Sequence, residues 1–307
     1  MKALTSFEER YGPLTRRLNR LRRAWRWRAK CASRKPARIL VETRWRLGDE
    51  IMALPIYEAL KTAFPFARVD AWCNYPDLLL DSPYVDTVYE GTAIPDDDGV
   101  DRYILMRGAP RDRYRREHYA ALAGVPTPEC APRLYYRDWT SPMVRPHEKT
   151  IAVSTGASWP TKRWPIDLWR ELCQALEEEG YRLIQLGKDD EIVGLQESFL
   201  GKTGIRDAAC LLHAARLFIC CDSGLMHLAQ AAGTPAIALF GPTDPAILLR
   251  PNEGVTAITN ARPCFGCWNI SQDMQKEGVC PIHEPQCLGT ITPARVLQVV
   301  HEVLARE

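Results

Sequence analysis

Between Leu217 and Phe240 the chain fits a strand, a helix and a second strand into a very short span. Leu217 to Cys221 is apolar, Asp222-Ser223-Gly224 breaks the run, a helical pattern reaches Gly233, and Ala236 to Phe240 is apolar again. Two strands joined through a helix pair in parallel, because the helix carries the chain back along the sheet. Strands buried on both faces read as unbroken apolar runs, as these do. The same unit recurs: Arg38 to Thr43 reads as a strand, Gly48-Asp49 as a turn, and a helical pattern continues through Phe64. Arg68 to Cys73, Thr87 to Tyr89 and Tyr103 to Met106 read as further strands, and Arg115 to Ala123 as a helix stopped by Gly124. Later, Thr150 to Ser154 is a strand, Pro165 suits a first helical residue, Gly180 ends that helix, and Tyr181 to Leu186 is the next strand. Pro126, Pro128, Pro132, Pro142 and Pro146 mark a linker near 130–148. The expectation is an α/β protein of two Rossmann-like domains, 38–140 and 141–307, with parallel sheets facing across a cleft that holds ligands at the strand carboxyl ends.

A chain of 307 residues that is 46% hydrophobic has apolar surface for two cores, which excludes wholesale disorder. No apolar run approaches the roughly 18 residues of a membrane span. The first thirty residues are basic and lack the apolar centre of a secretion signal, so a cytoplasmic location is expected. The net charge of +2 hides an asymmetry: residues 1–38 carry 13 Lys and Arg against Glu8 and Glu9, leaving the remainder acidic. Leu14, Leu18, Leu21 and Trp25 fall on one helical face, with Arg16, Arg17, Arg20, Arg22, Arg23, Arg26 and Arg28 around the rest. Residues 1–37 therefore read as a basic amphipathic helical arm. An anionic membrane surface touched through residues 14–30, giving a peripheral place on the inner face of the cytoplasmic membrane, is one expected partner; RNA, an acidic partner or the protein's own acidic body would attract the arm equally, and a simply solvated helix is the alternative. One basic arm on an acidic globule is not the pattern of a nucleic-acid binder.

Of the eleven cysteines, seven are scattered and suit buried small apolar residues, whereas Cys264, Cys267, Cys280 and Cys287 cluster. The Cys-Phe-Gly-Cys start resembles a knuckle in which thiolates meet one structural iron or zinc ion; free thiols are the alternative.

Three polar clusters fall at strand ends. Asp49, at a helix start, is either a general base or an N-cap. The stretch Thr155-Gly156-Ala157-Ser158-Trp159-Pro160-Thr161-Lys162-Arg163 offers amides, a hydroxyl and two cations to a diphosphate, or is a solvated turn. Asp222-Ser223-Gly224-Leu225-Met226-His227, followed by Gly241-Pro242-Thr243-Asp244-Pro245, gives sugar-binding groups or a cap and a core histidine.

Taken together, Arg44, Leu47-Gly48-Asp49, Gly156-Ala157-Ser158 with Lys162-Arg163-Trp164-Pro165, Asp222 through Ala229, and Leu239 through Pro245 resemble glycosyltransferase family 9, the heptosyltransferase family, over about residues 38–304. The resemblance implies a GT-B fold with the acceptor on the amino-terminal domain, near Arg44, and ADP-heptose on the carboxy-terminal one, without a catalytic metal. It implies that Asp49 deprotonates the acceptor hydroxyl for inverting transfer and that Lys162 compensates the leaving diphosphate. Ser158 and Arg163 match phosphate-loop positions, Glu191 a ribose contact, and Asp222, Ser223, Gly224, His227 and Thr243 the loops around the donor. The expected acceptor is lipopolysaccharide core or a related glycan or glycolipid. Limited room between Ala71 and Pro110 for acceptor loops keeps a protein acceptor open, and the cysteine segment resembles an iron-binding cluster in the branch that heptosylates secreted proteins. An inactive nucleotide-binding scaffold is the third expectation, opposed by the presence of Asp49.

Overall fold

The computed structural model of the chain describes residues 36–91, 99–108, 110–143, 149–188, 193–260, 262–270, 280 and 287–306. The expected arm helix and Glu191 lie outside the described residues. In chain order the amino-terminal half runs β1 (Arg38–Glu42), α1 (Leu47–Ala63), β2 (Arg68–Cys73), β3 (Thr87–Glu90), β4 (Arg102–Leu105) and α2 (Arg115–Ala123). The carboxy-terminal half runs β5 (Thr150–Ser154), α3 (Ile166–Glu178), β6 (Arg182–Gln185), β7 (Glu197–Ser198), α4 (Ile205–Ala214), β8 (Leu217–Cys221), α5 (Gly224–Ala232), β9 (Ala236–Phe240), β10 (Val255–Thr259), α6 (Cys267–Ile270) and α7 (Pro293–Leu304).

The two expected parallel sheets are present. The first has the order β3-β2-β1-β4 and the second β10-β9-β8-β5-β6-β7, and every pairing is parallel. In each, the chain builds outward from a central strand and then returns to that strand's other flank. The reversal falls between β1 and β4 in one sheet and between β5 and β8 in the other. Loops leaving the carboxyl ends of such neighbours diverge to opposite faces, which opens the crevice where ligands bind in parallel sheets.

Most expected strands match within a residue at each end. Pro165 is a difference: with φ −53° and ψ 136° it is the residue before α3 rather than its first turn, because its ψ is extended. Gly124 ends α2 at φ +63°, in the left-handed region that favours glycine. A Cβ there would also stand 2.6 Å from the Arg102 guanidinium. Helix α7 completes the second sandwich: Val296, Val299, Val300 and Leu304 are buried on one face, packed against α3. Among the described residues no helix is long and apolar enough to cross a membrane.

Two buried carboxylates hold the first domain together. Asp70 is inaccessible and receives Arg38 Nε and Arg68 Nε, each at 2.8 Å, which satisfies the charge that burial would otherwise leave uncompensated. Glu50 accepts backbone N–H groups from Trp45 at 3.1 Å, Asn74 at 3.0 Å and Tyr75 at 3.2 Å, so it ties the loop after β1 to the loop after β2. Burial raises its carboxyl to about 7, against the lowering effect of those amides. The native state thus holds a proton on Glu50 that the unfolded chain releases near pH 4.5. Its stabilisation is complete below that pH and is lost as pH rises through about 7. Denaturation measured between pH 5 and 8 is expected to show stability falling by about 2–3 kcal/mol from this group, and Glu50→Gln is expected to flatten the slope.

Candidate active site

Helices α1 and α5 leave the carboxyl ends of β1 and β8, the central strands of their sheets, and their first turns meet. A Cβ on Gly48 would lie 2.9 Å from His227 Cδ2, and one on Gly224 would lie 3.1 Å from Leu47. Glycine at both positions is what lets the two backbones approach so closely. Two helix N-termini, each with unsatisfied amides and a positive dipole end, are thereby brought to one cleft.

On the amino-terminal side, Asp49 occupies the first turn of α1. The N-cap is Arg46, so Asp49 is not the capping residue that its place at a helix start allows. Its Oδ1 instead accepts from Arg115 Nη1 at 3.2 Å and from Tyr119 Oη at 3.1 Å, both on α2. Burial raises the Asp49 carboxyl, and Arg115, the Tyr119 hydroxyl, Arg46 and Lys162 oppose that rise. A carboxylate that is partly desolvated yet charge-supported is suited to taking a proton. Arg44 stands with its guanidinium carbon 4.4 Å from the Trp72 ring centroid, and its Nε is buried without a hydrogen-bond partner among the described residues.

Across the cleft, Lys162 reaches Asp222 Oδ2 at 2.5 Å and lies 4.3 Å from the Trp159 ring centroid. Burial alone would raise Asp222, but the Lys162 ammonium holds it below the usual carboxylate range. His227 is buried and pushed down to about 4 by desolvation, so its imidazole is neutral at physiological pH. Trp159 Nε1, Thr161 Oγ1, Ser223 Oγ and His227 Nδ1 are buried without hydrogen-bond partners among the described residues. Buried polar atoms are ordinarily satisfied, at a cost of about 1–3 kcal/mol each when they are not. All four belong to the turn that carries Lys162 or to the start of α5, where a polar ligand would satisfy them. Arg163 Nε donates to Ala157 O at 3.0 Å and braces the loop, and Ser158 is exposed. Thr243 is buried beside Asp222.

The cysteine segment rests on these same loops. Gly266 N–H donates to Gly241 O at 3.1 Å and Trp268 N–H to Pro242 O at 2.9 Å, while Cys287 Sγ donates to Thr161 O at 3.7 Å. Trp268 packs 5.8 Å from Trp159 and under the Arg111 guanidinium at 5.1 Å. Burial, followed by Cys287, Cys264 and Cys280, pushes the Cys267 thiol up to about 11. The four thiols therefore share one neighbourhood. Among the described residues, however, no group of three or more His, Cys, Asp or Glu is gathered closely enough to hold a metal ion.

A sequence profile described as glycosyltransferase family 9 (heptosyltransferase) matches residues 113–277, more than half of the chain. The chain belongs to glycosyltransferase family 9. It is 28% identical over 229 residues to lipopolysaccharide heptosyltransferase 2 of Salmonella typhimurium, covering 68% of this chain and 62% of that protein. It is 27% identical over 202 residues to the autotransporter heptosyltransferase TibC of Escherichia coli, covering 59% and 48%. In both alignments it spans less than two thirds of the relative's length. In fold it is similar to the dodecameric iron-containing heptosyltransferase TibC in complex with ADP-D-beta-D-heptose, with a TM-score of 0.75, 21% identity and coverage of 89% and 77%. It is also similar to Escherichia coli ADP-heptose lps heptosyltransferase II, with a TM-score of 0.65, 22% identity and coverage of 88% and 99%. The paired parallel-sheet domains are the GT-B arrangement.

For this family 9 chain, the structure brings Asp49, Lys162, Asp222, Ser223, Gly224, His227 and Thr243 to one cleft, with Arg44 on its amino-terminal side. Arg115, Tyr119 and Trp268 escaped the sequence reading. Arg115 and Tyr119 stand at i and i+4, so they share a helix face, but nothing in the sequence turns that face toward Asp49. Because the α1 to α5 contact is already tight, Gly48→Ala is expected to destabilise the protein by about 1–3 kcal/mol, despite alanine's better helix propensity, when measured by denaturant unfolding.

Proposed function

We propose that this chain is an inverting heptosyltransferase that moves heptose from ADP-heptose to a hydroxyl of a glycan acceptor, with lipopolysaccharide core as the first candidate. The observation that carries this reading is the placement of Asp49 within electrostatic reach of Lys162, whose turn and the neighbouring start of α5 hold buried polar atoms without partners among the described residues. Residues 38–140 then bind the acceptor, with Arg44 among its contacts, and 141–307 bind the donor. The acceptor hydroxyl gives its proton to Asp49 as its oxygen attacks the anomeric carbon from the face opposite the diphosphate. The new C–O bond forms while the bond to the diphosphate oxygen breaks, and ADP leaves with that electron pair. Charge growing on the diphosphate is met by Lys162 and by the amides at the start of α5, donors that need no reorganisation. Ser158 contributes a phosphate contact, Arg163 braces the loop, Glu191 contacts the ribose, and Ser223, His227 and Thr243 face the donor's polar groups.

Likeness to the autotransporter heptosyltransferase supports a protein as the second acceptor class. The Arg-rich stretch 14–30 supports contact with an anionic membrane, where a glycolipid acceptor would be met. We further assign Cys264, Cys267, Cys280 and Cys287 to a structural iron or zinc ion. The mutual electrostatic influence of the four thiols supports this, since a bound cation would displace their protons and draw them together. The structural neighbour TibC is itself described as iron-containing.

Calorimetry with ADP, UDP, GDP and ADP-heptose is expected to show binding selective for the adenine nucleotides, weakened at least about tenfold by Lys162→Ala. Asp49→Asn is expected to keep donor affinity while transfer to heptose-deficient lipopolysaccharide falls by about 10²–10⁴. Binding of ADP-heptose with no transfer to any acceptor would replace this reading with that of an inactive nucleotide-binding scaffold. Elemental analysis of the purified protein is expected to show about one iron or zinc per chain, lost in Cys264→Ser with Cys267→Ser; metal-free, fully folded protein would overturn that assignment.

A further inference from the structure

The Asp49 carboxylate is held by more than burial. Arg115 Nη1 and Tyr119 Oη both end on Oδ1, at 3.2 and 3.1 Å, and neither bond uses Oδ2. The two donors are themselves fixed. Tyr119 is 2% exposed, and the Arg115 guanidinium, with 6% of its side chain exposed, also donates to Gly108 O at 3.0 Å in the loop after β4. Arg115 and Tyr119 therefore connect the carboxyl end of β4 to the first turn of the helix that follows β1, across the point where the first sheet reverses its order.

We propose that Arg115 and Tyr119 are positioning residues for the transfer reaction: by converging on Oδ1 they lock the rotamer of Asp49 and leave Oδ2 as the atom that takes the acceptor's proton. This rests on the reading of Asp49 as the general base. A carboxylate free to rotate would offer either oxygen in many orientations, and small errors in the placement of a base cost rate steeply. Two donors on one oxygen also favour the charged form of the group, which is the form a base must have before each turnover. The other charged groups acting on Asp49 are Arg46 from the loop before α1 and Lys162 from the turn Pro160–Lys162; His227 from α5 lies against Gly48, the residue before Asp49, and burial pushes its imidazole down to about 4. Glu50, next in the chain, is engaged by the amides of Trp45, Asn74 and Tyr75.

The deciding variant is Tyr119→Phe, which deletes one hydrogen bond and keeps the ring. Two readouts are needed. The first is the pH profile of kcat for ADP release from ADP-heptose with heptose-deficient lipopolysaccharide as acceptor. The second is direct titration of the Asp49 carboxyl by NMR in protein labelled with carboxyl-¹³C aspartate, assigned by its loss in Asp49→Asn. Loss of a bond to the charged form is expected to move the Asp49 titration, and with it the acid limb of kcat, up by at least about half a pH unit. The KM for ADP-heptose is expected to stay within about twofold, because the hydrogen bonds of the two side chains end on Asp49 and Gly108 in the amino-terminal half. Arg115→Lys, which keeps the charge without the fixed planar donor, is expected to retain the titration better than it retains kcat. An unmoved titration and acid limb in folded Tyr119→Phe would overturn the positioning role. Full transfer by Asp49→Asn would instead overturn the general-base reading, and the NMR titration would still report whether Tyr119 acts on the carboxyl.

Discussion

The close contact between the first turns of α1 and α5 organises this molecule. Leu47 and Gly48 on one side and Gly224 and His227 on the other pack so closely that a Cβ at Gly48 would force His227 to shift and one at Gly224 would press on Leu47. That contact sets the two strand-end crevices face to face at a distance where Asp49 of one domain lies within electrostatic reach of Lys162 of the other. Each domain alone would present a helix start and a few polar side chains. Together they place a partly desolvated carboxylate opposite a cation and unsatisfied donors, the arrangement that a displacement with charge on the leaving group requires.

Further interactions hold the halves in that relation. Arg116 bonds Glu253 through both guanidinium nitrogens, at 2.9 and 2.8 Å, with both side chains buried. A buried pair of this kind is strongly destabilised when one partner is removed, because the other charge is left without compensation. Arg250 pairs with Glu117 and lies 3.7 Å from the Tyr114 ring centroid, adding a cation–π contact beside the same junction. Leu134 N–H donates to Ala231 O at 2.9 Å, so the proline-rich connection is laid along α5. The neighbouring residues Arg115 and Arg116 thus serve different tasks: one supports the Asp49 carboxylate and the other joins the domains.

The cysteine segment enters the same frame from the opposite side. Its backbone is hydrogen-bonded to Gly241 and Pro242, and Cys287 reaches the carbonyl of Thr161, the residue before Lys162. Trp268 fills the space between Trp159 and Arg111. Whatever fixes the four thiols therefore also bears on the loops that carry Lys162, Gly241 and Pro242, far from the cysteines in sequence.

Much of the fold was legible in the chain itself. Apolar runs such as Leu217–Cys221 and Ala236–Phe240 mark central parallel strands because both faces of such a strand are buried, and Gly124 and Gly180 mark helix ends because left-handed backbone excludes most other residues. The two-residue strand Glu197–Ser198 carried no such signal, since its pairing with β6 is a property of the sheet edge and not of its side chains. Of the site, Asp49, Lys162, Asp222 and His227 were visible because strand-end position and residue chemistry are both local. Tertiary structure alone decided that Asp49 is no cap, that Lys162 pairs with Asp222, and that Arg115 and Tyr119 turn toward the carboxylate. Sequence periodicity specifies which residues share a face; which face meets which is settled by packing between elements far apart in the chain.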